Sequence, residues 1–144
     1  MAVIAPPIDI GIPEAQRQQI AEGLGRVLAD STVLYAKTHG FHWNVTGPMF
    51  NTLHLMFMEQ YTELWMALDV IAERIRALGS MSPGSYREFL ALNTVGEDED
   101  QPNATEMIGR LVKGHEAVVH SARASFPAAE KAAYNMAAMW STFA

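Results

Sequence analysis

The chain contains no cysteine among its 144 residues. That absence excludes a disulfide framework, a thiolate zinc site, an iron–sulfur cluster and a cysteine nucleophile. Long apolar runs are missing too: charges or histidines interrupt every stretch before the ~18 residues that a membrane-spanning helix needs. Positive charge is scarce, with 10 Lys and Arg against 16 Asp and Glu for a net charge of −6. An acidic balance does not favour the phosphate backbone of nucleic acids. The first residues, MAVIAPPIDIGIPE, have no basic stretch ahead of their apolar ones, so no signal peptide is expected. What is abundant is hydrophobic side chain, 49% of the residues, too much for a disordered chain. A chain of this length fits one domain that buries roughly two-thirds of its unfolded surface. These features predict a cytoplasmic protein with no membrane partner.

Proline and glycine punctuate the chain unevenly. Three of the seven prolines fall within residues 1–13, which read as an irregular N-terminal arm. Residues 14–144 then carry a helical pattern: Ile20, Leu24, Val27, Leu28, Leu34 and Tyr35 recur at spacings of three and four. Gly47-Pro48 breaks the pattern, and a second helix runs from about Phe50 to Leu78, stopped by Gly79. A loop with a single helical turn at Tyr86 to Leu90 follows. The acidic run Glu97 to Asp100 reads as a solvated loop. Asn103 and Glu106 form a capping-box pair for a third helix to Ser125, and Pro127 suits the first turn of a fourth. With no alternating strand pattern, the class is all-α, a four-helix bundle with a short extra helix between helices 2 and 3.

The second helix is apolar on nearly every side, through Leu53, Leu55, Met56, Phe57, Met58, Tyr61, Leu64, Trp65, Met66, Leu68 and Ile71. A helix of this kind is buried all round. One face meets the bundle core, and the opposite face needs a second subunit. On this reading Leu64→Arg should produce small species in light scattering.

Chemistry-bearing side chains gather around that helix. His39 and His42 precede the Gly47-Pro48 turn and His54 follows it, so an antiparallel helix pair sets His42 opposite His54. Asp69 and Glu73, four positions apart, share one face of the second helix among apolar neighbours. His54 and Asp69 lie about 22 Å apart along one helix axis, too far to share a metal within a subunit. A two-fold axis through the middle of the helix places the His42/His54 end of one copy beside the Asp69/Glu73 end of the other. The spacing therefore predicts a site shared between subunits. Such imidazole and carboxylate ligands suit Fe(II), Mn(II) or Zn(II). Capped polar groups or exposed ion pairs are the competing reading.

The stretch from Lys37 to Phe50, KTHGFHWNVTGPMF, followed by His54 and by Asp69-x-x-Ala72-Glu73-Arg74, strongly resembles the Dps family, ferritin-like mini-ferritins named as DNA-binding proteins from starved cells. The resemblance covers about Thr32 to Leu92 and resumes at Leu111 to Lys131. It implies a ferritin-like bundle, twelve copies around a hollow interior, and a ferroxidase centre at each two-fold interface. By position it implies that His42 binds iron with the partner's Asp69 and Glu73, while His54 holds a second, weaker iron position. It further implies oxidation of Fe(II) by hydrogen peroxide or oxygen, storage of ferric mineral, protection of DNA from oxidative damage, and a cytoplasmic or nucleoid-associated location. Trp43 beside His42 would quench stray radicals, with plain packing as the alternative.

Two departures from the family pattern stand out. Met58 occupies the position, four after His54, where many members carry a carboxylate, and a thioether is a poor iron ligand. Glu59 is next in sequence but points about 100° further round the helix. The second iron position is therefore expected to fill weakly, completed by water or Glu59. The C-terminal stretch from Lys131 to Ala144 is Ala-rich and less charged than the family's usual last helix, leaving Glu130 as the main acidic candidate for a pore that admits iron. Conventional di-iron bundles use Glu-x-x-His pairs, and no Glu here is followed three positions later by His. Direct DNA binding, the alternative function, lacks a basic tail: Arg17 is the only basic residue of the first 20. His115 and His120 lie apart and are expected to have structural or surface roles.

Overall fold

The computed structural model describes residues 8–142, with side chains described as far as Ala133. Three long helices and one short helix make up the described chain: α1 (Glu14–Asn44), α2 (Phe50–Ala77), α3 (Tyr86–Leu92) and α4 (Ala104–Thr142). No strand occurs among the described residues. This is the expected all-α, ferritin-like architecture, with α3 as the short helix in the long connection.

Helix α1 is the central element, and α2, α3 and α4 all pack against it. A tight turn at Gly47 (φ +103°) reverses the chain, so α2 runs antiparallel to α1. Near that turn Phe41 and Val45 meet Leu53 and Phe57, and Met107 and Leu111 of α4 complete this cluster. Toward the other end Ala21 and Leu28 meet Ile75, with Leu68, Ile71 and Phe89 packed around them. Both α2 and α4 are antiparallel to α1, so the connection at 78–103 must travel the length of the bundle. Burial of each large side chain such as Phe57 and Leu34 contributes roughly 1.5–3 kcal/mol.

Helix ends follow local chemistry. Beyond Ala77, Gly79 takes the left-handed conformation at φ +88°. Its N–H donates to Arg76 O at 3.0 Å and that of Ser80 to Ile75 O at 3.3 Å, closing α2 as the glycine predicts. At α4 the Asn103 side-chain oxygen Oδ1 accepts from the Glu106 N–H at 3.0 Å, and the Glu106 carboxylate accepts from the Asn103 N–H at 2.9 Å.

One boundary differs. The third helix does not end near Ser125, and Pro127 does not open a separate fourth helix; α4 continues through it. Proline inside a helix costs about 3 kcal/mol through a lost hydrogen bond and a clash with the carbonyl of residue i−4. Here the ring is exposed, and the strong helix formers Ala128 to Ala133 follow it. Water can then serve the Arg123 carbonyl, and the helix persists. The C-terminal stretch beyond Ala133, expected to differ from the family, lies outside the residues whose side chains are described.

Close approach of α4 to α1 depends on two glycines. A Cβ at Gly114 would stand 2.6 Å from Leu34 Cδ1, and one at Gly23 would stand 2.8 Å from Ser125 Cβ. Between these contacts lies Asp30, fully buried on α1. Its carboxylate accepts from Thr94 N at 2.5 Å, from Thr94 Oγ1 and from the Ser121 hydroxyl. One side chain therefore pins the long connection and α4 onto α1.

The acidic run is more than a solvated loop. Asp98 bridges Lys37 Nζ at 2.9 Å and Arg110 at 3.1 Å, while Asp100 pairs with Arg110 through both guanidinium arms. Arg110 in turn holds the Asp100 carboxyl below its usual range, chiefly through that hydrogen bond. Glu97 and Glu99 remain exposed.

Candidate metal centre

The last turn of α1 and the first turns of α2 build the centre. His42 Nδ1 lies 2.7 Å from His54 O, and His54 Nδ1 lies 2.8 Å from His42 O. A carbonyl oxygen only accepts, so both Nδ1 atoms carry the proton and donate. With the Nδ1 proton engaged in this way, Nε2 is the nitrogen of each ring that could ligate a metal ion, and a backbone carbonyl orients the ring, as is usual for metal-binding histidines. The sequence forces this exchange locally. The final carbonyls of a helix lack intrahelical partners, and the His42 carbonyl is one of them. The two rings stack with centroids 3.7 Å apart at 21°. His42 is buried and His54 half-buried. The partial negative charge at the C-terminus of α1 also favours a cation at this end.

A second layer surrounds the pair. His39 stacks on Tyr61 at 3.9 Å and 19°, and its Nδ1 lies 3.1 Å from the Tyr35 hydroxyl. Burial, and then the neighbouring His42, push the His39 imidazole below its ordinary range. Tyr61 presents its edge toward His42 with centroids 5.2 Å apart. Trp43 is 65% exposed and sits 4.2 Å from the His39 ring, beside the centre as its position implies. Sequence reasoning did not assign Tyr35 and Tyr61 to the centre. The available signal was the i, i+4 spacing of Tyr35 and His39 on one face of α1.

Asp69 and Glu73 are exposed on the outer face of α2, opposite the face that packs on α1. They stand with Trp65, Met66 and Val70, which are 62%, 67% and 57% exposed. No ion pair engages either carboxylate among the described residues. Glu59 and Met58 are also exposed. One chain thus joins the two imidazoles and holds the two carboxylates about 22 Å (Asp69) and about 28 Å (Glu73) further along α2. Accordingly, no cluster of three or more metal-capable side chains forms among the described residues. His115 and His120 are exposed on α4, away from this centre.

A family model described as a ferritin-like domain matches residues 21–143. DNA protection during starvation protein 2 of Bacillus anthracis is 39% identical over 99 residues, covering 69% of this chain and 68% of that protein. The chain belongs to the ferritin-like family, in its Dps branch. A Dps structure from Vibrio cholerae O1, described as one of the ferritin-like diiron-carboxylate proteins, superposes with a TM-score of 0.84. It is 30% identical, with 96% of this chain and 89% of that chain covered. A low temperature-induced protein of Nostoc is 43% identical over 119 residues, 82% of this chain, which spans only 66% of that relative. No helix among the described residues of this Dps-type chain is long and apolar enough to cross a membrane.

Proposed function

We propose that this Dps-type protein is a ferroxidase that takes up Fe(II), oxidises it with hydrogen peroxide, and stores the ferric product inside a dodecameric shell in the cytoplasm. The observation that supports the reading is the reciprocal donation from both Nδ1 atoms to backbone carbonyls, which leaves the Nε2 of each ring as the nitrogen available to a metal. Carboxylates must come from elsewhere, and Asp69 and Glu73 on the exposed apolar face of α2 are suited to arrive from a two-fold partner. His42 with the partner's Asp69 and Glu73 binds the first Fe(II), and His54 holds the second more weakly because Met58 offers no carboxylate. Two Fe(II) ions supply the two electrons that reduce one peroxide, with two protons, to two waters. Pairing the electrons avoids releasing a hydroxyl radical and so protects DNA without contacting it. Oxygen is the competing oxidant. Direct DNA binding has little physical support in a chain of net charge −6.

The test is anaerobic Fe(II) loading followed by stopped-flow absorbance with peroxide and, separately, with oxygen. Oxidation well above the protein-free rate and faster with peroxide is expected; a rate equal to the protein-free one rejects the ferroxidase.

The two-fold interface carries its own expectation. Leu64 is partly buried and packs against the core of its own subunit, so Leu64→Arg would damage the fold and is a poor probe of assembly. Met66 is 67% exposed on the opposite face. Met66→Arg is expected to keep its helical circular dichroism and to lose the large species in light scattering. Assembly unchanged by Met66→Arg rejects α2 as the interface.

A further inference from the structure

Met58 has no task in the proposed iron chemistry, yet it stands beside the histidine that this chemistry uses least. It lies one turn beyond His54 on the same side of α2 and is 39% exposed. Of the nine methionines, it alone is three or four positions from a histidine. Four residues lie one turn from His54: Phe50, Asn51, Phe57 and Met58. The two phenylalanines carry no donor atom, and Phe50 stacks on the His54 ring with centroids 5.1 Å apart. Helical side chains lean toward the N-terminus, so Asn51 leans away from His54 while the long, flexible Met58 leans back toward it. The thioether is therefore the same-helix donor best placed to join the His54 imidazole.

Stacking keeps the two imidazoles from serving one ion. A nitrogen lone pair lies in the plane of its ring, and the rings of His42 and His54 are nearly parallel, 3.7 Å apart and tilted by 21°. Planes so arranged do not converge on one ion at the ~2.0 Å of a metal–nitrogen bond. The His54 position must be completed from its own surroundings. Glu59 points about 100° further round the helix, and Asp69 and Glu73 are about 22 and 28 Å away along it. The local donor set is then one imidazole and one thioether, neutral and soft. Fe(II) prefers charged oxygen donors, whereas thioether sulfur selects Cu(I), whose single charge needs no carboxylate. We propose that His54 and Met58 form a copper(I) site, distinct in preference from the iron position at His42. The proposal rests on the reading of His54 as a metal ligand, and not on the oxidation of iron.

The test is anaerobic titration of Cu(I) into the assembled protein against bathocuproine disulfonate, a chelator whose Cu(I) complex is coloured. Wild type is expected to withhold about one Cu(I) per chain from the chelator. Met58→Leu replaces an exposed side chain with one of similar volume and removes the sulfur, so it should weaken Cu(I) binding roughly tenfold or more. Met58→Asp should also lose Cu(I), and in anaerobic Fe(II) titration it should hold the second Fe(II) more tightly, because it supplies a carboxylate. X-ray absorption at the copper edge should show a sulfur neighbour in wild type and none in Met58→Leu. A wild type that yields all its copper to the chelator overturns the proposal. So does a Met58→Leu variant that binds Cu(I) as tightly as wild type, or a wild-type copper spectrum without sulfur. Copper held as expected by a protein that oxidises no Fe(II) rejects the ferroxidase alone. Copper surrendered by a protein that oxidises Fe(II) rejects this site alone.

Discussion

Equal amounts of His42→Ala and Asp69→Ala chains, assembled together, are expected to recover about a quarter of the wild-type ferroxidase rate, although each variant alone should fall to the protein-free rate. The reasoning follows from the distribution of the side chains. His42 and His54 meet at the turn between α1 and α2, whereas Asp69 stands on the exposed outer face of the same helix. If the site straddles a two-fold axis, each pair of chains contains two sites, each built from one chain's His42 and the other's Asp69. In a mixed pair, one site carries both substitutions and the other carries neither. Half the pairs are mixed at random, and half of their sites are intact. Stopped-flow oxidation of Fe(II) on the co-assembled protein reads this fraction directly. A mixture as inactive as its parents would show that the carboxylates do not come from a partner. Activity retained by either variant alone would remove that residue from the site.

Replacement of Asp30 by Ala is expected to destabilise the fold by about 3 kcal/mol, because buried donors lose their acceptor. The Thr94 N–H and the Ser121 hydroxyl both donate to this carboxylate, and Asp30 is fully buried beneath them. Their loss leaves the long connection and α4 without their shared anchor on α1. Urea unfolding followed by circular dichroism should show the midpoint lowered by about 1–2 M at typical slopes. Asp30→Asn keeps an acceptor for Thr94 and lets the Ser121 hydroxyl rotate to accept, so it should cost about 1 kcal/mol. A midpoint for Asp30→Ala within experimental error of wild type would show that the clamp contributes nothing.

Elements governed by near neighbours in the chain are legible in the amino-acid sequence itself. Gly79 closes α2, Asn103 and Glu106 cap α4, and the Gly47 turn sets His42 against His54. The all-round apolarity of α2 likewise announces that its far face needs a cover. Each of these rests on spacings of a few residues, or on one tight turn, and local backbone geometry converts such spacings into positions.

Other features depend on contacts between distant parts of the chain. The sequence could not distinguish Leu64, which packs into its own core, from Met66, which stands on the surface. Both are apolar and only two positions apart, and the docking of α2 on α1 chooses between them. Nor did the acidic run reveal that Asp98 and Asp100 would meet Lys37 and Arg110. Asp30 reaches partners 64 and 91 residues away, a pairing that no periodicity encodes. Local sequence therefore determined the helices and the imidazole pair, since each arises within a turn or two of backbone. Tertiary packing decided which faces are buried, which charges pair and where α4 runs, because those depend on which surfaces exclude water together.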